Sequence, residues 1–113
     1  LSYIRDSTIK IMNSLVTNLY PRPNGTVSGE NLSCASTGSG VSLAAFDSDT
    51  KYVMIDVQDN NVIVTFDGST PTAANGHLLL KEKGLITFSA RSAKAAKFLG
   101  SGGTSIVHAS QFV

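Results

Sequence analysis

Between Asn61 and Thr72 an alternating hydrophobic run meets a cluster of turn residues, and no other stretch of the chain limits its fold so tightly. Val62, Val64 and Phe66 alternate with Ile63, Thr65 and Asp67. That is the period of a half-buried β-strand, in which successive side chains point to opposite faces. Asp67-Gly68 ends the strand, and Pro71, with no N–H to donate, bars immediate re-entry into a central strand. The segment sets the class as small and all-β.

The flanking sequence repeats the pattern. Tyr52, Met54 and Asp56 alternate with Val53, Ile55 and Val57 across Lys51–Gln58. Asp59-Asn60-Asn61 predicts a tight turn that joins this strand and Val62–Phe66 as a hairpin. Val41–Phe46, His77–Leu80, Leu85–Ala90 and Thr104–Phe112 are further strand candidates. Lys81-Glu82-Lys83-Gly84 and Gly100-Ser101-Gly102-Gly103 lie between them, the second as a flexible hairpin loop. Ser92–Lys97 holds several alanines and reads as one helical turn leading into Phe98-Leu99. Thr26–Gly40, rich in Ser, Thr, Gly and Asn, reads as a long surface loop with one short strand near Leu32–Ala35. Short strands at regular spacing predict a small β-sandwich or jelly-roll-like barrel over residues 26–113.

Residues 1–25 read differently. Ile9, Met12, Val16 and Leu19 sit at helical spacing, with Asp6 or Ser7 as an N-cap. Thr8-Ile9-Lys10-Ile11 also alternates, and the β-branched content favours an extended arm or edge strand. Pro21-Arg22-Pro23-Asn24-Gly25 then stops any regular element. The first residue is leucine, so an initiator methionine is expected upstream.

A chain of 113 residues is one domain, large enough to bury a core without metal or disulfide support. Its 42% hydrophobic residues argue for a folded chain, and its 15% charged residues make a sparse surface that suggests burial against a partner. A net charge of +1 gives no electrostatic case for nucleic acid. Arg91, Lys94 and Lys97 are the nearest thing to a basic cluster. Cys34 stands alone, too few for a disulfide within the chain or a structural zinc site, and reads as a buried thiol. No apolar run approaches the roughly 20 residues that span a bilayer, and no signal-peptide pattern is present.

Candidate chemistry is thin. Asp47-Ser48-Asp49-Thr50-Lys51 starts like an acidic calcium loop but lacks the third oxygen ligand, the central glycine and the closing glutamate, so it reads as a solvated turn. The glycine run at 100–103 has no lysine after it and precedes a strand, unlike a phosphate cradle. His77 and His108 could pair as metal ligands or as an acid–base couple, yet no Cys or carboxylate stands at ligand spacing. No Gly-x-Ser-x-Gly elbow is present. Asn24-Gly25-Thr26 and Asn31-Leu32-Ser33 match the glycosylation acceptor pattern, which arises often by chance in such a composition. No catalytic residue, cofactor or metal is expected.

The stretch Val64-Thr65-Phe66-Asp67-Gly68-Ser69-Thr70-Pro71-Thr72-Ala73-Ala74-Asn75-Gly76-His77 is similar to a recurrent motif in small structural proteins of tailed bacteriophages. Its usual continuation resembles Leu78-Leu79-Leu80, Ala93 to Ala96, Lys97-Phe98-Leu99 and Thr104 to Phe112, so the likeness covers about the last half of the chain. The resemblance implies a viral structural protein of the virion, most like a head decoration (cement) protein. Such proteins bind the outside of an expanded capsid, commonly as homotrimers, and contact the major capsid protein. It implies a capsid-surface location, with no nucleic acid or membrane as partner. Ile4, Ile9, Ile11, Leu15, Leu19 and Tyr20 would then contact capsid or protomer if residues 1–25 form an arm; the alternative is an ordinary first strand of the same sandwich. Competing readings are a tail or head-fibre accessory protein and a carbohydrate-binding β-sandwich for host adhesion. The absence of tryptophan and an aromatic content of 7% weigh against the last.

Overall fold

The computed structural model describes residues 22–27 and 29–113. Among these residues, seven strands and one short helix follow in order: β1 (Glu30–Cys34), β2 (Tyr52–Gln58), β3 (Asn61–Thr65), β4 (His77–Leu79), β5 (Ile86–Ser89), α1 (Ala90–Ala95), β6 (Lys97–Ser101) and β7 (Ser105–Phe112). They build two antiparallel sheets with strand orders β1-β7-β2-β5 and β4-β3-β6. The small all-β sandwich predicted from the alternation is the architecture observed.

The alternation decides which face each strand buries. Val53, Ile55 and Val57 of β2 point inward beside Val107 and Ala109 of β7 and Leu32 and Cys34 of β1. Val62 and Val64 of β3 and Phe98 of β6 close on them from the other sheet. All of these are buried, and Phe98 is the largest fully buried side chain. β6 packs across β1 and β7, and β3 across β2. β4 and β5 therefore end up on the same side of the sandwich.

Two hairpins expected from sequence do not form. β2 and β3 belong to different sheets, so Asp59-Asn60 is a crossover in which Asp59 adopts φ 74°. β6 and β7 also lie in different sheets, and the glycine run joining them is a second crossover. The two are pinned together. Ser105 Oγ lies 2.8 Å from the Gln58 carbonyl and 2.5 Å from that of Asn60, and Asn60 Nδ2 donates to the Thr104 carbonyl at 2.9 Å. A hairpin would set the two apolar rows side by side, whereas the arch sets them face to face and buries both.

Gly100 shows how tight the second crossover is. A Cβ there would lie 2.3 Å from the Gly103 carbonyl oxygen and 2.5 Å from that of Cys34. Only a residue without a side chain permits that approach.

Val41–Phe46 is likewise not a strand. Only Val41 pairs, through two 2.8 Å backbone bonds with Phe98. The Ala44 and Ala45 N–H groups donate to the Glu30 carboxylate instead of to a neighbouring strand. Leu43 and Phe46 still pack against the core, which accounts for the apolar pattern. The short strand in the 26–40 loop is real and is β1. The helical turn is also real, capped by Ser89, whose hydroxyl accepts from the Ser92 N–H.

Residues 22–24 run antiparallel to the end of β7. Arg22 exchanges backbone bonds with Val113, and Asn24 N–H donates to the Gln111 carbonyl at 2.8 Å. These three residues thus belong to the packed body just ahead of the boundary predicted at 25.

Candidate functional site

Residues 64–77 form the end of β3, an eleven-residue connection from Phe66 to Gly76, and the start of β4. The connection is held by its own side chains. Asp67 Oδ1 accepts from the Ser69 N–H at 3.0 Å and from the Ser69 hydroxyl at 2.5 Å. Asn75 Nδ2 donates to Ser69 Oγ, and the Thr65 hydroxyl donates to the Ser69 carbonyl at 2.6 Å. Thr72 and Asn75 exchange two backbone bonds. Pro71 is fully buried at the base. Hydrogen bonds from Ser69 hold the Asp67 carboxyl below its ordinary value of 3.8.

Gly76 ends the connection at φ 130°, and a Cβ there would meet Ile63 Cγ2 at 2.7 Å. Thr65, Phe66, Asp67, Asn75, Gly76 and His77 line a shallow depression of about 390 Å³. The His77 ring lies 6.1 Å from that of Phe66, which in turn stands edge-on to Phe88 at 5.3 Å. The Asp, Ser and Asn side chains that give this loop a site-like composition are engaged in holding its shape.

The other candidate groups do not converge. His108 contacts Asn31 across β7 and β1, while His77 lies on β4 in the other sheet, so the two histidines make no pair. Asp47 closes a turn, its carbonyl accepting from Thr50 N–H and its carboxylate from Asp49 N–H. Among the described residues, no three of His, Cys, Asp and Glu gather where they could hold a metal ion. Cys34 is buried as expected, and burial pushes its thiol up to about 11. Asn24 of the first acceptor triplet is buried and donates its amide to Thr50. Ile4, Ile9, Ile11, Leu15, Leu19 and Tyr20, the contact residues implied by the resemblance, lie outside the described residues.

What the fold does bring together is an unfinished edge. On the β1/β6 side the sandwich is closed. The segment after β1 bridges the sheets, with Gly100 N–H donating to the Ala35 carbonyl and Val41 pairing with Phe98. On the β4/β5 side no described segment pairs with the outer edge of either strand. The core reaches the surface there. Leu79, Phe88 and Phe66 pack against the central cluster but remain only partly buried, as does Val41 on the closed side.

Among the described residues, the three exposed large hydrophobic residues lie on this edge or on the loop that joins its strands. They are Leu78 at 54% exposure, Leu80 at 37% and Leu85 at 69%. Leu78 pairs with Ile63, which pairs in turn with Leu99 across the small sheet, but Ile63 and Leu99 are buried where Leu78 is exposed. Sequence reading placed these leucines in strands but gave no hint that they would share an edge. Their proximity is local, since all three fall on β4 and the loop leading to β5; what short-range patterns do not encode is that this segment runs between the edges of two different sheets.

No family model, no curated protein and no solved structure matches this chain.

Proposed function

We propose that this chain is a structural protein of a bacteriophage virion that binds the outer surface of the capsid and stabilises it. The observation that carries the reading is the open β4/β5 edge, where unpaired strands, a half-covered core and three exposed leucines coincide. Contiguous apolar surface beside unpaired strand edges is the signature of a body that completes its burial by assembly. The likeness of Val64–His77 to the phage motif supplies the kind of assembly.

Magnitudes favour many copies acting together. Covering the exposed parts of the three leucines is worth about 2–5 kcal/mol per protomer. Bringing two bodies together costs on the order of 4–15 kcal/mol. One such contact is weak, and the major capsid protein would be held by several protomers at once, most simply a homotrimer at a local three-fold position.

The test is co-sedimentation of the purified chain with expanded and unexpanded capsids of the parent phage, with copies counted. Saturable binding to expanded heads at the stoichiometry of the local three-fold sites is expected. Binding to neither form would exclude the capsid-surface role and favour a tail or head-fibre accessory role. The depression beside Phe66 and His77 suits a carbohydrate, and binding on a glycan array that is lost on His77→Ala would establish adhesion instead.

A further inference from the structure

We infer that the depression beside Phe66 and His77 holds the guanidinium group of an arginine side chain presented by a partner protein. The polar atoms left free there carry the argument. The Ser69 hydroxyl donates to Asp67 Oδ1 at 2.5 Å and accepts from Asn75 Nδ2 at 2.9 Å. Asn75 Nδ2 also donates to the Thr70 carbonyl at 3.3 Å. A carbonyl can only accept, so the amide nitrogen is the bound end and Oδ1 is left over. Neither Asp67 Oδ2 nor Asn75 Oδ1 accepts a hydrogen bond from another described residue. Both residues line the depression, and both hang on one hydroxyl. Two neighbouring acceptors are thus left for a ligand.

Asp67 adds a full negative charge. Hydrogen bonds from the Ser69 side chain and backbone hold its carboxyl below the ordinary value, and no neighbouring cation contributes to that shift. The carboxylate is therefore ionised and has no counter-charge of its own. Phe66 supplies an aromatic wall, with the His77 ring 6.1 Å from it and tilted by 43°. An anionic oxygen beside an aromatic ring attracts a cation through both the charge and the ring quadrupole. Among cations a guanidinium fits this set best. Its planar fork of N–H donors reaches two oxygens at once and its flat face packs on a ring, whereas an ammonium is a compact point charge without a plane.

A sugar would also stack on the ring, but each of its hydroxyls is acceptor as well as donor and calls for donors in return. Here the Thr65 and Ser69 hydroxyls and the Asn75 amide nitrogen donate within the loop. Of the lining side chains, the His77 ring alone keeps a donor to offer. The depression is shallow and about 390 Å³ in volume, at the small end of the roughly 300–1,000 Å³ of ligand sites that enclose a whole molecule. It covers the tip of a ligand and leaves the rest outside, which suits a side chain whose backbone is held by its own protein. This inference does not depend on the capsid reading, and either can fail while the other stands.

The test titrates the full isotope-labelled chain near neutral pH and follows its amide resonances by NMR. The probes are N-acetylarginine methylamide, n-propylguanidinium, n-butylammonium and the neutral isostere n-propylurea. The arginine probe and n-propylguanidinium are expected to shift the amides of Phe66 to Ser69 and Asn75 to His77 saturably, at concentrations at least about tenfold below n-propylurea. Equal shifts by n-propylurea would mean that no charge is read and would overturn the proposal. Equal affinity for n-butylammonium would overturn the assignment to a guanidinium. If n-propylguanidinium binds and the arginine probe does not, a partner's arginine is excluded in favour of a free guanidinium compound. Methyl glycosides that shift these amides where the guanidinium probes do not would give the depression to a sugar.

Asp67→Asn supplies the second arm, since it removes the charge and keeps the shape. It is expected to raise the half-saturating concentration of the arginine probe at least about tenfold, the loss that follows when a charge-assisted hydrogen bond becomes a neutral one. Unchanged resonances outside residues 65–77 show that the sandwich is intact in the variant. Half-saturation at the native concentration refutes the proposal. If the variant does not fold, the comparison of n-propylguanidinium with n-propylurea on the native chain decides the question alone.

Discussion

Replacing Gln111 with alanine tests whether a buried polar network or the apolar core alone fixes the end of the sandwich where residues 22–24 dock. Gln111 faces inward from β7 and is almost fully buried. Its Oε1 accepts from the Thr50 hydroxyl at 2.6 Å and from the Asp47 N–H at 3.2 Å, and its Nε2 donates to the Ala45 carbonyl at 2.7 Å. Thr50 Oγ1 in turn accepts from Asn24 Nδ2 at 2.9 Å. One side chain thus ties the 44–50 loop and residue 24 to the sheet.

Each net hydrogen bond contributes about 1 kcal/mol, and a buried partner left unpaired costs up to about 3. Three partners lose Gln111 in the variant, while water entering beside the loop restores part of the loss. The expected cost is therefore about 3 kcal/mol. For 113 residues the unfolding entropy is about 0.24 kcal/mol per kelvin, which converts that cost to a fall in Tm of about 13 °C. Thermal unfolding followed by circular dichroism reads it directly. In a double-mutant cycle Thr50→Val should couple with Gln111→Ala by at least about 0.5 kcal/mol, since both act on one chain of bonds. A Tm loss below about 4 °C, or strictly additive effects, would refute the network as a structural element.

Three further outcomes follow from the geometry. Asp67→Asn should lower stability near neutral pH, and the difference should vanish in acid. The carboxyl has a folded pKa below its unfolded one, so its contribution is present above the unfolded value and is lost as pH falls through the folded value; urea unfolding of both proteins between pH 7 and pH 2 checks this. Cys34 should react with a thiol reagent at pH 8 at least a hundredfold more slowly in the native protein than in urea, because its thiol is buried and its pKa lies near 11. Gly100→Ala should abolish soluble folded protein, since both atoms crowding the new methyl are backbone. Gly102→Ala, at φ 82° with nothing within 4 Å, should cost only about 1 kcal/mol, and soluble expression with thermal unfolding compares the two.

β2 and β7 were legible because their burial alternates residue by residue, whereas β3, expected to be half-buried, is buried at Val62, Ile63, Val64 and Thr65 alike. The predicted bounds of all three differ from those observed by a residue at most at either end. Which strands pair was not legible. Asp59-Asn60-Asn61 has hairpin composition, yet Asp59 at φ 74° and the Ser105 hydroxyl turn it into an arch between sheets. That choice depends on residues 45 positions apart, beyond any window read along the chain. Val41–Phe46 misled for the complementary reason. Its apolar residues do reach the core, but as a strap whose backbone bonds go to a glutamate side chain and a single bridge. Gln111, Thr50 and Asn24 carried no signal at all, because a buried polar cluster is assembled from isolated polar residues whose partners lie up to 66 positions away.

The same long-range choices produce the surface on which the functional reading depends. Had β2 and β3 formed a hairpin in one sheet, β4 would have extended that sheet, and no second sheet edge would lie beside β5. The crossovers at 58–61 and 101–105 instead stack β3 on β2, and this leaves the two shortest strands at one edge, joined by a loop bearing Leu80 and Leu85. The closed edge has a strap and a glutamate to satisfy it, while the open edge has neither. An exposed, unpaired, leucine-bearing edge is an aggregation hazard that a free monomer would be expected to blunt with charge. Here Lys81, Glu82 and Lys83 sit on the loop tip, beside the leucines and not along the strands, and Asp67 lies near His77 at the start of β4. They can keep the edge soluble during folding without occupying the strand edges, which suits a surface reserved for an assembly partner.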